Sequence, residues 1–143
     1  MVAGKLSGHL LRSLKWRLGL RVAAPELEAG DDESLVSFYR GRVTDCRFLS
    51  DPRHYEHPRA HWIVDTVQGG RLLEVGSGNG GMTALLAPRV EHLVALDVSG
   101  PSLAAVEALG LGNVQIVDTL VEQFRPKERF DWIVMSEVLE HLR

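Results

Sequence analysis

The chain has 143 residues, of which 45% are hydrophobic and 24% charged, and its formal net charge is -3. This length suits one domain with a substantial core, and the slight negative charge excludes a general electrostatic attraction to nucleic acid. A single cysteine, Cys46, excludes an internal disulfide framework. The sequence has neither an apolar run of roughly 20 residues, as a membrane span needs, nor the apolar core of a secretory signal. We therefore expect a cytoplasmic protein.

The first 33 residues differ from the rest in the order of their charges. Five basic residues precede any acid, and five acids then follow without an intervening base. Leucine recurs at every fourth position from Leu6 to Leu18, which predicts a helix with a basic flank. Residues 5–22 suit a membrane-surface or partner contact, a helix packed on its own domain, or a frayed terminus. We therefore expect residues 1–33 to be a basic N-terminal helix with an acidic linker, and residues 34–143 to be a separate domain.

The second part of the chain alternates predicted helices and strands. A short helix is expected over 34–43, and Asp51 with Pro52, or else Pro58, can start a helix that Gly69 stops. The remaining predicted elements are strands over 71–75, 92–99, 113–119 and 130–136, helices over 80–89 and 101–109, a helical turn over 120–124, and a helix from 137 onward. This pattern predicts an α/β fold, a Rossmann-like parallel sheet with helices on both faces and an N-terminal helical extension.

A glycine-rich loop follows the first strand in the stretch LLEVGSGNGGMT, residues 72–83. Its glycines satisfy both the dinucleotide pattern G-x-G-x-x-G and the pattern G-x-G-x-G, so they do not select a ligand. Glu74 does select one, because a carboxylate at the end of this strand would repel a pyrophosphate. S-adenosylmethionine has no phosphate and carries an ammonium and a sulfonium, which suit this acid.

Two more acids end the next two strands. Asp97 follows the second strand, where a carboxylate can accept hydrogen bonds from ribose hydroxyls in several cofactor classes. Asp118 follows the third strand, where it can meet an adenine amino group or cap a turn. Because parallel strands end at one edge of a sheet, the sequence predicts one ligand crevice lined by these acids.

The ordered motifs LLEVGSGNGG, ALDVS, IVDT and FDWIVMSEVLEHL resemble those of class I S-adenosylmethionine-dependent methyltransferases, in particular the small-molecule group that includes the ubiquinone-pathway O-methyltransferases. The resemblance runs from about Arg71 to Arg143. The family's sheet has seven strands in the order 3-2-1-4-5-7-6, of which four are found here. The resemblance thus implies the order 3-2-1-4 and a domain incomplete at its C-terminus, whether as a fragment, a truncated reading frame or a decayed copy.

The resemblance also implies a role for each matching residue. Glu74 and the backbone of Gly76 would hold the methionine end of the cofactor, and Asp97 would bind the ribose. Ser136 would close the floor near the transferred methyl, while Gly80 and Gly81 would serve either the cofactor or helix packing alone. The full set of implied cofactor-binding residues is Glu74, Gly76, Ser77, Gly78, Asp97, Val98, Asp118, Thr119 and Ser136.

Methyl transfer is a displacement on an activated carbon, so the protein mainly aligns the nucleophile and excludes water. An oxygen nucleophile also needs a base, and we predict His141 as the catalytic residue, with His54 and His57 as further candidates. The segment HYEHPR at 54–59, which contains His54 and His57, is either a cofactor-covering element or a solvated polar stretch. Glu137, Glu140 and His141 stand at i, i+3 and i+4, a spacing that permits magnesium or manganese, although no metal is predicted.

These observations predict an S-adenosylmethionine-dependent methyltransferase with a small-molecule acceptor, or the cofactor-binding part of one. The alternatives are a non-catalytic or partner-dependent S-adenosylmethionine-binding module and a nicotinamide-dependent oxidoreductase. No nucleic acid partner is expected. In the order 3-2-1-4 the stretch WIVM at 132–135 would be an apolar edge strand, which predicts self-association through strand 4.

Overall fold

The computed structural model describes residues 37, 39–40 and 46–142 of the chain. They belong to a unit that spans Glu33–Arg143. The predicted helix and linker over 1–33 lie outside the described residues, so that part of the domain division stays a prediction. Residues 37 and 39–40 are helical, in agreement with the helix expected over 34–43.

In the described part of the chain four strands form one parallel sheet, and their bounds are Arg71–Val75 for β1, His92–Asp97 for β2, Val114–Asp118 for β3 and Trp132–Met135 for β4. Their order is β3-β2-β1-β4, which confirms the predicted order 3-2-1-4. Each strand is rich in branched aliphatic residues, as is usual for parallel strands buried on both faces. Within the described residues β4 pairs with β1 alone and is therefore an edge strand. The predicted self-association requires such an edge, and the association itself stays a prediction.

Within residues 46–142, three α-helices connect or precede the strands, namely α1 at His57–Thr66, α2 at Gly81–Leu86 and α3 at Gly100–Glu107. Pro58 lies in the first turn of α1, so the second of the two proposed starts is the helix start. The Asp51–Pro52 start is wrong, since Asp51 instead bonds the backbone N–H of Arg53 at 3.0 Å in a turn. Pro88 lacks an N–H, and α2 accordingly gives way to a 3-10 turn at Ala87–Arg89.

The sheet buries a different apolar cluster on each face. The larger cluster joins Leu72, Leu93 and Val134 of the strands to residues from α1, α2 and α3. The smaller one contains Leu73, Val75, Val94 and Leu96. It is covered among the described residues by side chains of the 121–130 segment and by Val138 rather than by an α-helix. No helix in this described part of the chain has the length and apolar character to cross a membrane.

Candidate functional site

The loop between β1 and α2 has a backbone that glycine alone adopts readily. Gly76, Gly78 and Gly80 have φ values of 72°, 53° and 83°, all in the left-handed region. The backbone N–H groups of Gly76 and Ser77 donate to the Leu96 carbonyl of β2, at 2.8 and 3.2 Å. The loop therefore lies at the carboxyl end of the sheet, where open α/β folds bind their ligands.

Gly80 and Gly81 are required for packing. A Cβ on Gly80 would lie 2.9 Å from Leu109 and 3.1 Å from Val106. A Cβ on Gly81 would lie 2.5 Å from the sulfur of Cys46 and 2.7 Å from Leu49. Of the two roles considered for these glycines, the structure supports close packing of the loop and of the start of α2.

Glu74 is a buried carboxyl at the centre of this region. Only 3% of the residue is exposed, and its Oε2 accepts a hydrogen bond of 2.7 Å from the hydroxyl of Thr83. Burial raises the pKa of Glu74 to about 7, the Thr83 bond lowers it in part, and the nearby charge of Asp97 raises it. Among the described residues no cation forms an ion pair with Glu74. The site thus contains a buried acid to which the described residues offer no positive partner.

Asp97 holds the glycine loop and the start of α3 together. Its Oδ2 accepts the N–H of Gly78 at 2.8 Å, while Oδ1 accepts those of Val98 and Ser99 at 2.8 and 2.9 Å. Ser99 in turn caps α3 by accepting the N–H of Ser102. Sequence reasoning missed these three bonds, although Asp followed two residues later by a helix-capping Ser is a known local signal for such a turn.

The other predicted cofactor residues lie at the same edge of the sheet. Asp118 is exposed at the end of β3 and stands in register with Asp97. The N–H of Thr119 donates to the Asp97 carbonyl at 3.2 Å. Val98 and Ser136 are half-buried and directly follow β2 and β4. Because all four strands are parallel, these residues share one end of the sheet with Glu74, and their individual roles stay predictions.

Ser77 contributes a buried polar atom to the loop. The residue is 5% exposed, and its hydroxyl has no hydrogen-bond partner among the described residues. A buried hydroxyl without a partner costs about 1–3 kcal/mol. This atom is therefore suited to a polar group of a bound ligand.

The segment after β4 differs from the predicted helix. Among residues 136–142, only Leu139–His141 is helical, as a single 3-10 turn, because Glu137 has a φ of 58° and leaves the right-handed helical region. The Glu137 carboxylate pairs with Arg59 of α1 at 2.5 Å. The helical spacing that permitted a metal therefore does not apply, and within the described residues no three metal-ligating side chains cluster.

The three candidate histidines differ in their surroundings. His141 Nδ1 is hydrogen-bonded to the Tyr39 hydroxyl at 2.7 Å, and the residue is exposed. His57 instead donates to the Phe48 carbonyl at 2.9 Å, and the Nδ1 of His54 accepts the N–H of Glu56. His57 thereby holds the Arg47–Leu49 turn in place, which is a structural role.

The segment before α1 also contacts the glycine loop. The thiol of Cys46 donates to the side-chain carbonyl of Asn79 and lies over Gly81, while His61 donates to the Leu49 carbonyl at 3.2 Å. Cys46 and Leu49 thus pack on the glycine loop, and the two interpretations of HYEHPR at 54–59, a covering element and a solvated stretch, stay predictions.

Comparison with known proteins places the chain in a family. The family described as "Methyltransferase domain" matches residues 41–143, more than half of the chain. The tRNA/tmRNA (uracil-C(5))-methyltransferases of Yersinia pestis (strain Pestoides F) and Yersinia pseudotuberculosis serotype O:1b (strain IP 31758) are each 38% identical over 69 residues, or 44% of this chain and 19% of theirs. The chain thus spans about a fifth of the length of these curated relatives.

Two solved structures share the fold. The N-methyltransferase NodS of Bradyrhizobium japonicum WM9, in complex with S-adenosyl-L-homocysteine, is 25% identical, with a TM-score of 0.62 over 77% of this chain and 58% of that one. A complex of DhpI with SAM is 27% identical, with a TM-score of 0.57 over 73% of this chain and 50% of that one. By its family match, its strand order and its glycine loop, this chain belongs to the class I S-adenosylmethionine-dependent methyltransferases.

Proposed function

We propose that this chain binds S-adenosylmethionine at the carboxyl ends of β1, β2 and β3 and transfers its methyl group, as a methyltransferase or as the cofactor-binding part of one. The observation on which this depends is Glu74, a buried acid beside the glycine loop without a cation among the described residues. A buried carboxylate is stable only when it is paired or hydrogen-bonded. The α-ammonium group of the cofactor is a suitable partner, whereas a pyrophosphate is not.

Other residues of the site fit the same ligand. The hydroxyl of Ser77, for which the described residues provide no hydrogen-bond partner, can bond a polar atom of the methionine end. A carboxylate offers about four acceptor positions, and the three backbone bonds of Asp97 leave one on Oδ2 for a ribose hydroxyl. Asp118 lies in register beside Asp97, where it can accept a hydrogen bond from the adenine amino group. These residues bind and orient the cofactor, which supplies a methyl group already activated on a sulfonium.

His141 is the base that we propose for an oxygen acceptor. Its bond to the Tyr39 hydroxyl fixes the ring at the end of the segment that follows β4. Ser136, directly after β4, precedes this segment, and we propose that it lines the floor of the site near the transferred methyl. General base catalysis of this kind accounts for about 10²–10⁴-fold in rate.

A small molecule is the proposed acceptor. The net charge of -3 supports it, since proteins that bind nucleic acid usually present a basic face. NodS, by its title, is an N-methyltransferase. The Yersinia relatives, by their names, act on tRNA and tmRNA, and the 38% identity over 69 residues makes RNA the second candidate.

Cofactor binding is tested by calorimetric titration of the chain with S-adenosylhomocysteine and, separately, with NADH. Only the first is expected to bind, and Glu74→Gln is expected to weaken its binding at least tenfold. Glu107→Gln on the exposed side of α3 is the matched control, with wild-type affinity. Tighter binding of NADH than of S-adenosylhomocysteine would refute the proposal.

Transfer is tested separately from binding. The chain is incubated with S-adenosylmethionine labelled on the methyl group and with phenol, carboxylate and sugar acceptors, or with tRNA. Label in a small acceptor supports the proposed function, and label in tRNA alone supports the second candidate. Binding without label in any acceptor supports the alternative of a non-catalytic or partner-dependent module.

A further inference from the structure

We propose that Thr83 is a positioning residue of the cofactor site, whose hydroxyl fixes the orientation and the charge of the Glu74 carboxylate toward a cationic ligand. The inference rests on the proposed function, since it assigns to Thr83 a task in binding the cofactor's ammonium group. Thr83 itself does not contact the cofactor in this proposal, and it acts through Glu74 alone.

The geometry of the pair is that of a buried, direct contact. Thr83 is 0% exposed in the first turn of α2, and its Oγ1 lies 2.7 Å from Oε2 of Glu74. Side chains alternate along a strand, so Glu74 shares a sheet face with Leu72, the face that α2 covers. Its register partners on the neighbouring strands are Ala95 and Val134, which are apolar. Thr83 is therefore the polar side chain that meets the carboxylate from the helix layer.

Thr83 is the third residue of α2, so its helix offers no carbonyl one turn earlier to its hydroxyl. Threonines further along a helix have the habit of bonding that carbonyl. Thr66 in α1 shows that habit, with its hydroxyl 2.7 Å from the Trp62 carbonyl. The Thr83 hydroxyl reaches across the loop to β1 instead. This hydrogen bond thus connects the start of α2 to the acid that the site uses.

The Thr83 hydrogen bond affects the pKa of Glu74 in the opposite sense to the other groups around this carboxyl. Burial raises the pKa of Glu74 to about 7, and the negative charge of Asp97, from the end of β2, also raises it. The Thr83 hydrogen bond lowers the pKa of Glu74, because it stabilises the ionised form. The side chains beside Glu74 on β2 and β4 do not titrate. Without the Thr83 donor, Glu74 would therefore remain protonated, and unable to pair with an ammonium group, to a higher pH.

The experiment measures the affinity for S-adenosylhomocysteine between about pH 6 and pH 9 in four proteins: wild type, Thr83→Val, Thr83→Ser and Thr66→Val. In the wild type the affinity is expected to rise with pH through about 7, as Glu74 ionises. Loss of one hydrogen bond to a charged group, about 1.5 kcal/mol, corresponds to about one pKa unit. Thr83→Val is therefore expected to shift the midpoint up by about one pH unit and to bind about fivefold more weakly at pH 7.

The controls separate this role from simple packing. Thr83→Ser keeps the donor and is expected to restore the wild-type midpoint, and Thr66→Val makes the same substitution at a hydroxyl that bonds its own helix. The titration of the ligand's own ammonium group is common to all four proteins. A purely structural role would weaken Thr83→Val equally at every pH, and such a result, or a Thr83→Ser midpoint equal to that of Thr83→Val, would overturn the inference.

The experiment distinguishes failure of the proposed function from failure of the role proposed for Thr83. If the wild type does not bind S-adenosylhomocysteine at any pH, the proposed function is wrong. If the wild type binds and the Thr83→Val midpoint is unchanged, the proposed function stands and the positioning role of Thr83 is wrong. Should Thr83→Val prove too unstable to titrate, Thr83→Ala and Thr83→Ser are compared in its place, with the same expected difference in midpoint.

Discussion

The backbone N–H of Gly78 donates to Oδ2 of Asp97 at 2.8 Å, and this bond joins the loop after β1 to the end of β2. Gly78 can present its N–H in this direction because its φ is 53°, in the left-handed region. The same carboxylate bonds two further N–H groups at the start of the α3 connection. Asp97 consequently shapes the site as well as facing the proposed ligand.

Asp97→Ala is expected to reduce both stability and affinity. It removes three hydrogen bonds to a carboxylate, each worth about 1.5–3 kcal/mol in favourable cases. We expect the free energy of unfolding to fall by at least about 2 kcal/mol and S-adenosylhomocysteine binding to weaken more than tenfold. Urea denaturation and calorimetry measure the two effects. Asp118→Ala, which removes the exposed neighbour in register, is expected to leave stability unchanged; equal destabilisation by both changes would contradict this account of Asp97.

Glu74→Gln is expected to stabilise the ligand-free protein at alkaline pH. The pKa of Glu74 is about 7 in the folded protein and 4.5 as its ordinary value, so between these limits the folded state binds a proton that the unfolded state has released. Stability from this group is therefore present below about pH 4.5, falls as pH rises to about 7, and stays lost above. Above about pH 7 the ionisation of this buried carboxyl lowers the free energy of unfolding by about 3 kcal/mol.

The corresponding measurement is urea denaturation of the wild type and Glu74→Gln at pH 5 and pH 8. The variant is expected to gain stability relative to the wild type at pH 8 and to lose affinity for S-adenosylhomocysteine. Glu107→Gln, at an exposed position of α3, controls for the general effect of removing one negative charge. A stability difference between the wild type and Glu74→Gln that is the same at both pH values would mean that Glu74 is ionised normally.

Gly80→Ala is expected to destabilise the protein by about 1–3 kcal/mol, because its φ of 83° is unfavourable for alanine. The added Cβ would also press on Leu109 and Val106. Gly100→Ala is the matched control, since a Cβ there meets nothing within 4 Å at the start of α3. Thermal unfolding of both variants checks the difference, and equal melting temperatures would contradict it.

His141→Asn is expected to separate catalysis from cofactor binding. The change removes the proposed base and its bond to the Tyr39 hydroxyl. With an oxygen acceptor, methyl transfer should slow by about 10²-fold or more, while affinity for S-adenosylhomocysteine stays within about twofold. Single-turnover assays and calorimetry give the two values. An unchanged rate would show that another group, or none, removes the acceptor's proton.

The strands and the loop could be predicted from the sequence because local patterns determine them. The predicted first strand, 71–75, has the bounds that β1 shows, since an apolar run bounded by glycines leaves little freedom in either direction. The glycines at 76, 78 and 80 occupy left-handed positions, which other residues adopt only under strain. Glu74 could also be selected in advance, because a carboxylate at the end of this strand repels a pyrophosphate and suits a cationic ligand.

The tertiary structure alone decided the partners of the side chains. Asp97 meets Gly78 from 19 residues away, and Thr83 reaches Glu74 from 9 residues away. Glu137 lies in a left-handed conformation and pairs with Arg59 from 78 residues away. The sequence spacing instead predicted that Glu137 lies on one face of a helix. Local propensity describes what a segment prefers by itself, whereas these contacts depend on which surfaces the folded sheet and helices bring together. The sequence by itself thus determined the strands, the loop and the acid of the site, and tertiary packing determined how that acid is held and charged.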